Sequence, residues 1–116
     1  MAEFVEVGKT TGLPDGAMKE VSVRGNRLLL ARVGDNYYAA ASRCPHLGAN
    51  LAEGTLQGSV VTCPRHGSQF DLVDGHVVRW TQWSGLISKM NQALRSPRPL
   101  KVYRTKVEGG KILAEF

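Results

Sequence analysis

Hydrophobic and polar residues alternate along this chain in short runs separated by turn residues, the period-2 pattern of half-buried strands. Phe4, Val5 and Val7 open the series, and Val21 and Val23 alternate with polar neighbours before Arg24-Gly25-Asn26-Arg27, a turn sequence whose residues tolerate positive φ. Residues 28–33 then predict the return strand, Gly34-Asp35-Asn36 the next turn, and residues 37–41 and 59–62 two further strands, the latter after the stretch around Gly54 and Gly58. Phe70-Asp71-Leu72-Val73, Asp74-Gly75 and His76-Val77-Val78 read as a hairpin, because Asp-Gly supplies the left-handed backbone of a tight turn. Residues 101–107 and 111–116 flank Glu108-Gly109-Gly110 in the same manner. Turns recurring about every ten residues favour an antiparallel sandwich or small barrel. One segment departs from this rhythm: Leu86, Ile87, Met90, Ala93 and Leu94 share a face at helical spacing between Ser84, a candidate N-cap, and Pro97. A short helix near residues 84–95 is expected, its apolar stripe either capping the edge of the β core or facing a partner.

Composition narrows the class. With 116 residues, 42% hydrophobic and 22% charged, the chain reads as one globular domain over residues 1–116. Two cysteines are too few for a disulfide scaffold at this length, so they call for another explanation. The longest apolar run, residues 37–41, is far below the roughly 20 residues of a membrane-spanning helix, and the acidic amino-terminal stretch lacks the basic leader of a secretory signal. The expectation is a cytoplasmic protein without a membrane span, in which thiols are ligands or nucleophiles. The net charge of +5 divides unevenly: residues 1–78 carry −1 and residues 79–116 carry +6. Such a basic third suits a nucleic acid, an anionic membrane, an acidic protein or plain solvent.

The chemistry is concentrated in two boxes, Cys44-Pro45-His46-Leu47-Gly48 and Cys63-Pro64-Arg65-His66-Gly67. Each places a cysteine and a histidine on a glycine-containing loop after a strand, so two such loops packed together offer two sulfur and two nitrogen ligands to one metal centre. Zinc is the generic occupant of such a set, but its sites usually group like ligands, two cysteines and then two histidines. Loops that each pair unlike ligands suit a two-iron cluster with both cysteines on one iron and both histidines on the other. A Cys-His nucleophile lacks an orienting third group, and its duplication would be unexplained. No glycine-rich phosphate loop follows a strand and opens a helix. His76 reads as an exposed hairpin residue, and Trp80 and Trp83 as edge aromatics.

The boxes resemble those of Rieske [2Fe-2S] proteins, with Cys-x-His in the first loop and Cys-x-x-His in the second. The likeness extends through Phe70-Asp71-Leu72 and the Asp74-Gly75 turn to Pro97-Arg98-Pro99-Leu100-Lys101-Val102-Tyr103, the framework of small Rieske ferredoxins. It implies an all-β Rieske fold, an antiparallel sandwich with a cluster-binding subdomain of two loops (about residues 43–50 and 62–70) and an insert at about residues 81–96. It also implies that Cys44 and Cys63 bind one iron and His46 and His66 the other, with Leu47, Gly48, Arg65, Gly67 and Ser68 around them. Ala49 and Arg65 occupy the places where high-potential members carry a disulfide, and Phe70 stands where those members carry a hydrogen-bonding tyrosine. A midpoint in the lower half of the family range of about −150 to +300 mV is therefore expected.

The function the resemblance implies is one-electron transfer, without catalysis by the chain itself, from an NAD(P)H-dependent flavoprotein reductase to a terminal oxygenase or other redox protein. The alternatives are the small Rieske-like subunit of an assimilatory nitrite reductase, which often lacks some of the ligands, and a structural zinc module. The electron is expected to leave by the histidines, with Pro45, Leu47 and Arg65 forming the docking surface. The insert, with Arg79, Lys89, Arg95 and Arg98, is expected to form a recognition face beside the cluster. The basic charge makes an acidic protein partner a more economical expectation than nucleic acid or a membrane.

Overall fold

The computed structural model describes residues 3–45, 48–65, 67–79 and 99–116. The expected helix near residues 84–95, with the 81–96 insert around it, lies outside these residues, as do His46, Leu47 and His66. Eleven strands are present among the described residues: β1 (Phe4–Lys9), β2 (Met18–Val23), β3 (Asn26–Val33), β4 (Asn36–Ala41), β5 (Thr55–Gln57), β6 (Val60–Thr62), β7 (Gln69–Asp71), β8 (Val77–Arg79), β9 (Val102–Tyr103), β10 (Thr105–Glu108) and β11 (Lys111–Glu115). They form three antiparallel sheets in the orders β1-β11-β10, β2-β3-β4-β9 and β5-β6-β7-β8. The fold is thus the expected antiparallel one, and no described helix is long and apolar enough to cross a membrane.

The centre of the β2-β3-β4-β9 sheet is buried on both faces. Leu28, Leu29, Leu30 and Ala31 of β3 are each at most 1% exposed. Because alternate side chains point to opposite faces, Leu28 and Leu30 join Ala39, Val7, Ile112 and Ala114 in one core. Leu29 and Ala31 join Ala40, Val61, Phe70, Leu72 and Leu100 in the other. A strand covered on both faces needs an unbroken apolar run, which is why residues 28–31 do not alternate. Fully burying each leucine contributes about 1.5–3 kcal/mol, so β3 supports both halves of the molecule.

Turn chemistry sharpens several expected boundaries. Arg24 (φ 52°) and Gly25 (φ 80°) alone make the β2–β3 turn, so Asn26 opens the strand opposite Val23. Two consecutive residues with positive φ give the turn whose twist matches that of the strands it joins. Residues 101–107 do not form one strand: β9 pairs with β4 in the β2-β3-β4-β9 sheet, and β10 pairs with β11 in the three-stranded sheet. The chain changes sheets at Arg104, and the Thr105 hydroxyl fastens the change by donating to the Tyr37 carbonyl at 2.6 Å.

The Phe70–Val78 hairpin has a wider loop than expected. β7 ends at Asp71 and β8 begins at Val77, while the Asp71 and Asp74 carboxylates accept from the Val73 and His76 backbone amides. At its far side Gly75 adopts φ 82° and a Cβ there would lie 1.9 Å from the Leu100 carbonyl oxygen. Gly75 also accepts from the Leu100 amide at 2.8 Å, which ties the small sheet to the segment entering β9.

Candidate metal centre

The two Cys-His boxes fold into loops of one design. In the first, the Cys44 amide donates to the Ala49 carbonyl at 2.8 Å and the Gly48 amide to the Cys44 carbonyl at 2.8 Å. In the second, the Cys63 amide donates to the Ser68 carbonyl at 2.7 Å and the Gly67 amide to the Cys63 carbonyl at 3.2 Å. The fifth residue of each loop is a left-handed glycine, Gly48 at φ 77° and Gly67 at φ 73°, a conformation that costs other residues steric strain. Each loop is closed by a pair of facing residues, Arg43 with Asn50 and Thr62 with Gln69. Within this common frame the histidine is third in one loop and fourth in the other, which accounts for the unequal spacing of the boxes.

The structure brings the loops together. Cys44 and Cys63 are both buried, each 3% exposed, and belong to the same apolar cluster as Ala49, Leu51, Val61 and Phe70. After the first loop the Asn50 side chain accepts from the Ala52 amide at 3.0 Å and caps a short 3-10 turn, Leu51–Glu53. The following Gly54 passes so close to the second loop that a Cβ would meet the Thr62 carbonyl oxygen at 1.9 Å and Pro64 Cδ at 3.2 Å. Sequence patterning marked Gly54 only as a turn residue; its role is to let the exit of one loop touch the entrance of the other. Between them is an open cleft of about 520 Å³ lined by Arg43, Gly48, Ala49, Asn50, Glu53, Pro64 and Arg65.

The remaining candidates divide clearly. Ser68 is fully buried, as its place beside the second loop requires, and Gly67 is buried whereas Gly48 is exposed. Arg65 is exposed at the cleft, with Arg43 on the other loop. Phe70, which stands where high-potential members carry a tyrosine, is fully buried in the cluster that holds both cysteines. His76 is exposed, with Nδ1 against the Asp74 carboxylate. The His76 backbone amide, followed by its side chain, holds Asp74 below the ordinary carboxylate range, which makes this pair part of the turn rather than of the metal centre.

A buried thiol pair on matched loops, with a histidine in each box, is the donor set of a mixed-ligand iron–sulfur cluster, and residues 3–104 match the Rieske [2Fe-2S] domain. The chain belongs to this family, and its cofactor is the Rieske [2Fe-2S] cluster rather than structural zinc. Among its relatives, Ferredoxin CarAc of Metapseudomonas resinovorans is 37% identical over 73 residues, covering 62% of this chain and 68% of the relative. The ferredoxin component of the naphthalene 1,2-dioxygenase system of Pseudomonas aeruginosa is 29% identical over 106 residues, 90% of this chain and 86% of that one. In three dimensions the chain resembles one in a solved complex of reduced oxygenase and oxidized ferredoxin in carbazole 1,9a-dioxygenase, with a TM-score of 0.75, 28% identity, and coverage of 96% and 91% of the two chains.

Proposed function

We propose that this protein is a one-electron carrier that links an NAD(P)H-dependent flavoprotein reductase to a terminal oxygenase in the cytoplasm. In this reading Cys44 and Cys63 hold one iron, His46 and His66 hold the other, and residues 1–116 act as one domain. The observation that carries it is the pair of matched loops that place both cysteines in one apolar cluster beside a shared cleft. When bound, the cluster supplies reversible uptake of a single electron. The protein's own contribution is to fix the ligands on closed loops, to cover the sulfurs with Leu51, Val61 and Phe70, and to leave the outer rim of the loops exposed. The ferredoxin role of the relatives, one of them in a naphthalene 1,2-dioxygenase system, supports an oxygenase as the acceptor.

Purified protein is expected to be red-brown and to give a rhombic EPR signal on reduction, with a midpoint below roughly +150 mV because the Phe70 ring carries no hydroxyl. A colourless zinc-loaded protein would sink the carrier assignment, and a higher midpoint would sink the argument from Phe70.

Arg43 and Arg65 face the cleft from opposite loops, and neither takes part in an ion pair among the described residues. They give the transfer face a local positive potential suited to an acidic acceptor. The double variant Arg43→Glu/Arg65→Glu, reduced and mixed with ferricyanide at low salt, should be oxidised about tenfold more slowly than wild type. With the cationic tris(phenanthroline)cobalt(III) the change should reverse, and both effects should shrink at high salt as screening shortens to a few ångströms. Unchanged rates with both oxidants would remove these arginines from the transfer face.

A further inference from the structure

The two loops share a backbone frame but differ in one fastening. In the second loop the Gly67 carbonyl accepts two hydrogen bonds from a single guanidinium, Arg79 Nε at 3.0 Å and Arg79 Nη2 at 2.9 Å. Gly67 directly follows His66. In the first loop no arginine or lysine among the described residues donates a hydrogen bond to the corresponding Gly48. The placement of Arg79 depends on β8: the β7–β8 register shifts between Gln69 and Phe70, pairing Phe70 with Val77 and Gln69 with Arg79. The extra residue in β8, Val78, is 48% exposed, and Arg79 arrives opposite the residue that closes the second loop. Bulges of this kind re-aim a side chain at a site.

Arg79 makes no salt bridge to a carboxylate among the described residues. Its charge is therefore not neutralised by an ion pair, and a hydrogen bond from a charged donor is about twice as strong as a neutral one. Arg79, expected from sequence to form a recognition face with the insert, is exposed, and its guanidinium is engaged with the cluster loop.

We propose that Arg79 is a positioning and tuning residue for the Rieske centre, which fixes the second loop through the Gly67 carbonyl and, through its positive charge, favours the reduced state. The inference rests on the assignment of the cluster to these loops. Reduction adds one negative charge to the centre, and a fixed cation beside the loop stabilises that state more than the oxidised one. Hydrogen bonding and charge around the ligands are the protein's means of setting the potential of such a cluster.

The test is a redox titration of cluster-loaded Arg79→Gln and Arg79→Lys, with iron content and the EPR spectrum measured on the same samples. Arg79→Gln should take up electrons from a dye of fixed potential with an equilibrium constant about fivefold smaller, a midpoint lower by about 40 mV. Arg79→Lys, which keeps the charge and loses the fork, should stay within about twofold of wild type, a shift of under ~20 mV. If Arg79→Gln fails to load, loaded Arg79→Met takes its place, with the same expected drop and the same overturning result. Loss of the cluster in both variants, a midpoint in loaded Arg79→Gln equal to that of wild type, or an equal drop in both would overturn the tuning role. A wild-type protein with no iron–sulfur signal would instead overturn the cluster assignment itself, which separates the two failures.

Discussion

Cys63→Ser should yield a protein without the cluster: visible absorption above 400 nm and the reduced EPR signal both lost, and iron falling from about two atoms per chain, the content of a [2Fe-2S] centre, to near zero. Serine is close to cysteine in size, so the substitution removes the thiolate with little change in packing at a site only 3% exposed. What it adds is a hydroxyl in an apolar cluster, at a cost of about 1–3 kcal/mol if that group finds no partner. The cluster's binding energy is also withdrawn from the folded state, because a ligand set assembled only by folding stabilises the fold by the energy with which it binds. The variant should therefore melt well below the loaded wild type and close to apo wild type. Full retention of iron and of the rhombic signal would show that Cys63 is not a ligand. Ser68→Ala provides the contrast: the hydroxyl beside the second loop is lost, the four proposed ligands remain, and the cluster should persist.

Gly75→Ala should destabilise the fold by about 2–5 kcal/mol, combining the penalty of a left-handed backbone with that of overpacking. For a domain of this size the melting temperature should fall by roughly 10 °C or more. Two effects act together at this position. The backbone adopts φ 82°, and the added methyl group would meet the Leu100 carbonyl oxygen at 1.9 Å. Neither atom can yield cheaply, since Gly75 donates to the Asp71 carbonyl at 2.6 Å and the Leu100 amide donates to Gly75. Leu100 itself is buried with both cysteines, so displacement there should also loosen the metal centre. Thermal unfolding of the loaded variant is the measurement, and a loss of less than about 1 kcal/mol would mean that the contact relaxes freely. Gly16→Ala is a useful control, because Gly16 shares the positive φ but has no atom within 4 Å of the added carbon. It should show the backbone penalty alone, about 1–2 kcal/mol.

Much of this architecture was legible in the sequence because local chemistry determined it. Val21, Val23 and the doubly buried run at 28–31 identify strands without reference to any partner, and the paired Cys-His boxes identify a metal centre. Strand pairing was less accessible. The division of residues 101–107 between two sheets depends on β4 and β11, far away in sequence, and no local period marks Arg104 as the crossing point. β5, three residues between Gly54 and Gly58 with a single apolar side chain, is too short to show a period. The likeness of the two boxes was legible as a repeated Cys, His and Gly, and the backbone hydrogen bonds counted from each cysteine show that the shared part is the frame rather than the histidine spacing. Arg79 was legible as a charge but not as a fastening, since its direction depends on a bulge that the consecutive Val77 and Val78 do not announce.

The matched frames carry a consequence for how such a centre can vary. Each loop is a six-residue cassette, entered at a cysteine, closed by hydrogen bonds from the amides of that cysteine and of a left-handed glycine, and flanked by a facing pair of residues. The side chains between those fixed points can change identity or slip by one place without altering the length of the cassette or the pairing of the residues that flank it. A histidine in the third place of one loop and the fourth of the other is one such arrangement, built on a chassis indifferent to the choice.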